Sequence, residues 1–318
     1  MSEMTYRPLG DSGLMVSAVG IGCNAFSRRV DLAGVHDILD AAQEVGVTLL
    51  DTADTYGDPP GGSEQLMGQA LRGRRDSFVL ATKFGMDMRG ANGEDHGVRG
   101  SRRYVRRAVE ASLRRLETDH IDLYQLHAPD PITPIEETLS VLTDLVHEGK
   151  IGYLGCSNFG GWQVADAEWT SRSAGLERFV SVQNRYSLLD RSLEAEVAPA
   201  CEEYGVGILP FFPLEYGLLT GKYRRGEAAP EGSRATSGPS AWLDGADWDR
   251  IEAVEAYAAA RDLDVLDVAI AGLAAQPAVS SVIAGATSGA QVRRNAAALG
   301  WEPTVADLAE LDEITSVP

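Results

Sequence analysis

Residues 47–56 read VTLLDTADTY, a short apolar, β-like run that stops on a carboxylate, Asp51, with a phenol, Tyr56, just beyond it. Two later runs end in the same manner: FVLATK (78–83) closes on Lys83, and IDLYQLH (121–127) closes on His127. Successive parallel strands of a barrel bring their C-terminal ends to one face, so four residues far apart in sequence would meet in one cleft. A carboxylate, an ammonium, a phenol and an imidazole gathered there can move a proton onto a carbonyl oxygen.

Working outward from these runs, β-like and helix-like patterns alternate along the chain. Strand-like segments fall at 19–22, 48–51, 78–83, 121–126, 151–156, 179–183, 206–210 and 281–284. Helical patterns separate them, among them 34–44, 101–116, 134–148, 193–204 and 289–299. In 101–116, Ser101 is placed to cap the start, and Val105, Val109, Ser112, Leu113 and Leu116 recur at helical steps. Six arginines cover the rest of that helix, which reads as a solvated outer face. Eight strands alternating with helices specify a (β/α)8 TIM barrel. Before it, two short strands near 6–9 and 15–18, joined by GDSG, predict a β-hairpin over the N-terminal end of the barrel. A single domain over 1–318 is expected, because no linker or change of composition interrupts the chain. Two long irregular stretches, 85–100 and 223–247, follow strand ends and read as binding loops or covers on the C-terminal face.

Composition narrows the function. The 318 residues are 44% hydrophobic, enough for a large core, and carry a net charge of -19. That charge argues against nucleic acid and against an anionic membrane as partners. No apolar run approaches the ~18 residues of a membrane span. The opening MSEMTYRPLG lacks the basic and apolar regions of a secretory signal. Cys23, Cys156 and Cys201 are odd in number and widely spaced, which fits reduced thiols and a cytoplasmic location. Of five histidines only His127 ends a strand, so no metal-ligand set is expected. The G-x-G-x-x-A of VGIGCNA (19–25) follows a strand, but the next helical pattern starts only near Asp31, so it does not read as a dinucleotide fingerprint.

The segments LLDTADTYG, ATKFG, LYQLHAPD, IGYLGCSNF, VQNRYSLL and GLLTGKY, in this order, resemble the aldo-keto reductases, in particular the bacterial branch related to the potassium-channel β subunits. The likeness runs from YRPLGDSGLMVS near the start to IAGATSGAQVRRN near the end. It implies hydride transfer between a nicotinamide cofactor, NADP(H) with NAD(H) possible, and a small carbonyl compound. Tyr56 would then be the general acid, Lys83 a cation that acidifies it, Asp51 the partner holding Lys83, and His127 either a hydrogen-bond donor to the substrate oxygen or a relay for the proton. Asp54 is a rival carboxylate in the same segment.

For the cofactor, the resemblance implies Ser157, Asn158 and Gln183 at the nicotinamide, and Phe211 stacking where relatives usually carry tyrosine. Pro213, Leu214, Gly217 and Lys222 would meet the pyrophosphate. Gly285, Thr287, Ser288, Gln291 and Asn295 would meet the adenosine end, at a helix N-terminus. Where many relatives place a cation for the phosphate that distinguishes NADP from NAD, this chain has Gly285 or Thr287, leaving Ser288, Gln291 and Arg293 or Arg294 to serve. Substrate contacts are expected from Asn24, Ala25, Phe26, Phe84, Met86 and Trp242, with Trp162 and Tyr216 further candidates. The same residues would also serve an alcohol or sugar dehydrogenase running oxidatively, and the fold would serve a channel-β-like regulatory protein that binds NADPH. Sequence leaves the oligomeric state open.

Overall fold

A computed structural model describes residues 4–231, 233, 235, 236 and 241–316. Strands β1 (Tyr6–Pro8) and β2 (Met15–Ser17) pair as the antiparallel hairpin. Eight parallel strands follow: β3 (Val19–Gly22), β4 (Leu49–Asp51), β5 (Val79–Phe84), β6 (Ile121–Leu126), β7 (Ile151–Ser157), β8 (Phe179–Gln183), β9 (Gly207–Ile208) and β10 (Val282–Gly285). Their order is β10-β3-β4-β5-β6-β7-β8-β9, so each strand lies beside its successor in sequence. The seam between the two end strands is closed by backbone bonds. Ile208 N donates to Ala278 O at 2.7 Å, Ser280 N to Ile208 O at 3.0 Å, and Ile283 N to Pro210 O at 3.0 Å. The architecture is the (β/α)8 barrel expected from the alternation of elements.

Side-chain alternation along the strands divides the core in two. Leu49, Ala81, Leu123, Val180, Leu209 and Ile283 point inward and form one buried cluster. Leu50, Leu80, Tyr124 and Val182, on the opposite parity, belong to the larger layer under the helices. The hairpin supplies Leu9 and Val16 to the inner cluster, which places it across the N-terminal end. Gly10 is needed there. It sits at φ +54°, and a Cβ on it would come within 2.5 Å of the Val180 carbonyl oxygen and 2.6 Å of that of Gly205.

Most expected elements shift by one or two residues at their ends; one differs in kind, and another in how it is capped. The helix expected at 193–204 is a 3-10 turn, Ser192–Ala195, followed by a separate helix, Val197–Tyr204. The restart puts Pro199 in a first turn, where its missing N–H costs nothing. Helix Arg102–Leu116 begins at Ser101, but the Ser101 hydroxyl does not cap it; it donates to Val98 O at 2.7 Å. The Arg102 backbone N–H is met instead by Glu137 Oε1 at 2.9 Å. Its arginines are also not uniformly solvated. Arg102 and Arg106 bridge to Asp144 on the next helix, while Arg115 is largely buried against Glu64. The stretch 85–100 carries turns and no helix, as read from sequence. Of the expected 223–247 loop, residues 232, 234 and 237–240 lie outside the described residues. Among the described residues no helix is long and apolar enough to cross a membrane, and no cluster of three or more His, Cys, Asp or Glu could hold a metal ion.

Candidate active site

The end of β4 delivers Asp51, and parity on β5 turns Lys83 inward beside it. Lys83 is fully buried, with its Nζ 2.6 Å from Asp51 Oδ2, 3.0 Å from Thr52 O and 3.4 Å from the Tyr56 hydroxyl. Tyr56 is held by the turn after β4, where its N–H donates to Ala53 O at 3.1 Å. His127 follows β6 and is fixed by its own N–H on Phe84 O at 2.8 Å. Its ring meets Tyr56 edge-on, with centroids 5.7 Å apart. The four residues expected to meet do meet. Asp54, the rival carboxylate, faces the other side of the wall and is fully buried there.

Electrostatics follow from burial. Desolvation alone would depress Lys83, but Asp51 and Tyr56 outweigh it, so the ammonium is held above its ordinary range. Burial likewise pushes the Tyr56 phenol up, and Lys83 pulls it down without outweighing that rise. The expected net acidification of Tyr56 is therefore not what the packed site gives. His127 is lowered to about 3, by burial first and by the Lys83 charge second, so its imidazole is neutral at pH 7. Its Nδ1 is buried with no hydrogen-bond partner.

Asp51, Tyr56 and His127 open into one cleft of about 1370 Å³. Beside them the cleft is lined by Ser157, Asn158, Gln183, Phe211, Pro213 and Leu214, and farther along by Gly217, Lys222, Gly285, Thr287, Gln291 and Asn295. Ser288 is not part of this lining; it caps helix Gly289–Ala297, accepting from Gln291 N at 3.4 Å. Several of the lining side chains are locked to one another. Ser157 Oγ donates to Gln183 O at 2.7 Å, Asn158 Nδ2 to His127 O at 2.9 Å, and Gln183 Nε2 to Asp51 Oδ1 at 2.9 Å.

On the substrate side the cleft includes Asn24, Ala25, Met86 and Tyr216. Four expected contacts fall elsewhere. Phe26 is fully buried in the core, and Phe84 points outward, stacked on Tyr124 at 4.7 Å. Trp242 packs on Tyr216 at 5.3 Å and on Tyr223 at 5.5 Å, outside the lining. Trp162, 67% exposed, lies on an outer helix away from the cleft.

Sequence reasoning missed other members. Gln125 donates to Asp51 Oδ1 at 3.0 Å, and its signal was available: an amide two residues before His127 shares the inward parity. Phe212, Glu215 and Arg29 also line the cleft. Phe212, Glu215 and Tyr216 take positive φ, a backbone path no local pattern announces. Glu215 is buried and pairs with Arg185 at 2.6 Å, pinning that path. At the far end, Arg294 is committed to Asp264 and Asp267 at 2.6 Å each, and Arg293 to Glu44 at 2.6 Å.

With this geometry in place, comparison with known proteins is informative. Residues 18–316 match the model of the aldo/keto reductase family. An uncharacterized oxidoreductase, YrpG, of Bacillus subtilis is 38% identical over 231 residues, 71% of either chain. Protein tas of Escherichia coli is 33% identical over an alignment covering 99% of this chain and 98% of its own. A probable voltage-gated potassium channel subunit beta of rice is 32% identical, covering 94% of this chain and 92% of its own.

Proposed function

The chain belongs to the aldo/keto reductase family, and on that premise we propose that it reduces an aldehyde or ketone to an alcohol using NADP(H), with Tyr56 as the proton donor. The observation that carries the reading is the contact of Lys83 Nζ with both Asp51 and the Tyr56 hydroxyl at the mouth of the cleft.

The residues present suit a dinucleotide. A Cβ on Gly217 would come within 2.8 Å of Lys222 Nζ, so the glycine leaves room for the ammonium to lie over a turn of left-handed backbone. Such turns aim N–H groups at anions, and a pyrophosphate fits that cradle. Gly285, Thr287, Gln291 and Asn295 would take the adenosine end, and Ser157, Asn158 and Gln183 the nicotinamide. When bound, the reduced cofactor supplies hydride.

The chain's own residues handle the proton. A phenol kept above its ordinary range is fully protonated at neutral pH, as a general acid must be. As Tyr56 releases its proton to the carbonyl oxygen, the phenolate forms 3.4 Å from an ammonium that Asp51 keeps charged and in place. His127, neutral at pH 7, offers a ring N–H to the same oxygen without competing as a cation. The same groups serve oxidation of the alcohol by microscopic reversibility. A purely regulatory NADPH-binding role, the alternative suggested by the rice relative, gives no reason for all four of these groups to converge.

NADPH consumption on addition of aldehydes, ketones, quinones and keto-sugars tests the reading. Turnover with at least one carbonyl class is expected. Tight NADPH binding with no turnover across the whole panel overturns it in favour of the regulatory role.

A further inference from the structure

Behind the wall that carries Tyr56 and Lys83, on its helix side, lies a second buried polar cluster that the proton transfer does not use. Asp54 and Glu64 are both fully buried, and Arg115 is the guanidinium that serves them. Glu64 is well satisfied, accepting from Arg115 Nε at 2.7 Å and from Thr82 Oγ1 at 2.6 Å. Asp54 is not. Its Oδ2 accepts from the neutral amide of Asn92 at 3.0 Å, and its Oδ1 has no partner. Asn92 in turn accepts from Arg115 Nη1 at 3.2 Å, which links the two carboxyl groups in one chain. The hydroxyl of Tyr124 is also buried there without a partner.

We propose that Asp54 and Glu64 hold a single proton between them, carried by Asp54, and that this neutral acid is a positioning residue for Tyr56. Two ionised carboxylates facing one guanidinium in a dry site are strongly disfavoured, and Glu64 has taken the charge-stabilising donors. Burial first, then the Glu64 charge, push Asp54 well above the ordinary carboxylate range despite Arg115 and Asn92. Burial first of all raises the Tyr124 and Tyr104 phenols, so both stay neutral beside it.

The connection to catalysis is geometric. Asp54 lies in the turn that joins Asp51 to Tyr56, and its backbone N–H donates to Lys83 O at 3.1 Å. Its side chain holds Asn92, which belongs to the 85–100 stretch that brings Met86 to the cleft. Asp54 thus ties the Tyr56 turn to the strand of Lys83 through its backbone and to a cleft-lining loop through its carboxyl. This role rests on Tyr56 being the proton donor.

The test is a pair of variants with an independent spectroscopic readout. Asp54→Asn keeps the shape of the neutral acid and should retain kcat within about threefold, whereas Asp54→Ala should lose at least about tenfold in kcat with NADPH affinity unchanged. Infrared spectra of the wild-type protein at pH 7 should show a protonated carboxyl band that Asp54→Asn removes. The proposal is overturned if that band is missing, or if Asp54→Asn falls as far as Asp54→Ala. The infrared arm also decides the matter if the alanine variant does not fold. A fully active Tyr56→Phe enzyme would end the positioning role along with the proposed mechanism, while the band would still report the shared proton.

Discussion

Gln183, at the end of β8, reaches Asp51, at the end of β4, and donates to its Oδ1 at 2.9 Å. Gln125 donates to the same oxygen at 3.0 Å, and Lys83 takes the other oxygen at 2.6 Å. Three donors on three strands therefore converge on one buried carboxylate, so Asp51 organises the barrel mouth rather than merely neutralising a lysine. The two amides also keep Asp51 hydrogen-bonded when Lys83 is lost, which bears on how a lysine variant behaves.

Replacing Lys83 with methionine should damage both activity and stability. The phenolate formed at Tyr56 loses its neighbouring cation, and the carbonyl reduction rate should fall at least ~100-fold. Asp51 is left buried with only neutral donors, at a cost on the order of 3 kcal/mol, the lower end of what breaking a buried pair costs. Urea denaturation followed by fluorescence would measure the second effect. An unchanged midpoint would mean that the two glutamines fully compensate.

Tyr56→Phe separates chemistry from binding. The ring and its edge contact with His127 are kept, and only the hydroxyl is lost. Cofactor affinity should change less than about threefold, while kcat falls at least ~100-fold, the scale of general acid catalysis. Fluorescence titration with NADPH beside steady-state rates makes the comparison. An undiminished kcat removes Tyr56 from the mechanism.

The fold and this tetrad were legible because both rest on local, periodic signals. Apolar runs ending on chemistry-bearing residues mark strand ends, and strand ends of a barrel must converge. Phe84 shows where strand position alone is not enough: it adjoins Lys83, so parity sends it outward against Tyr124 rather than into the cleft. Gln125 was readable by the same rule and was passed over. Phe212 and Glu215 were not readable, since a positive φ at a non-glycine residue is imposed by tertiary contacts such as the Arg185–Glu215 pair. The different fates of Asp51 and Asp54, three residues apart, depend on which side of the wall the turn presents, and composition does not encode that.

The pH response follows from three displaced titrations. His127 is neutral in the folded protein down to about 3, whereas in the unfolded chain it takes a proton near ~6.5. The unfolded state thus binds more protons between those values, and stability should fall as pH drops below ~6.5. His127→Gln, which cannot titrate, should resist acid unfolding better than the wild type. At the alkaline end, Tyr56 and Lys83 are both raised, so the reduction rate should hold through neutrality and decline only above the ordinary phenol value of ~10. A decline centred near neutral pH would show that another group controls the proton.

On the proposed reading, cofactor preference turns on two arginines of helix Gly289–Ala297 that are already committed to ion pairs. Arg293 is paired with Glu44, and Arg294 with Asp264 and Asp267. Asp264 itself lines the cleft, so it both occupies a guanidinium and adds a negative charge near the adenosine end. Asp264→Asn should free one face of Arg294 and remove that repulsion while leaving Asp267 to hold the side chain. The ratio of kcat/KM for NADPH over NADH should rise by about two- to fivefold, roughly 0.4–1 kcal/mol of discrimination from one largely exposed charge. The wild type should favour NADPH only modestly, because the two arginines expected to meet its extra phosphate start out ion-paired. Initial rates with each cofactor at equal concentration, in both proteins, measure the effect, and a ratio that does not move, or falls, would place the discriminating cation elsewhere, with Lys222 the next residue to replace.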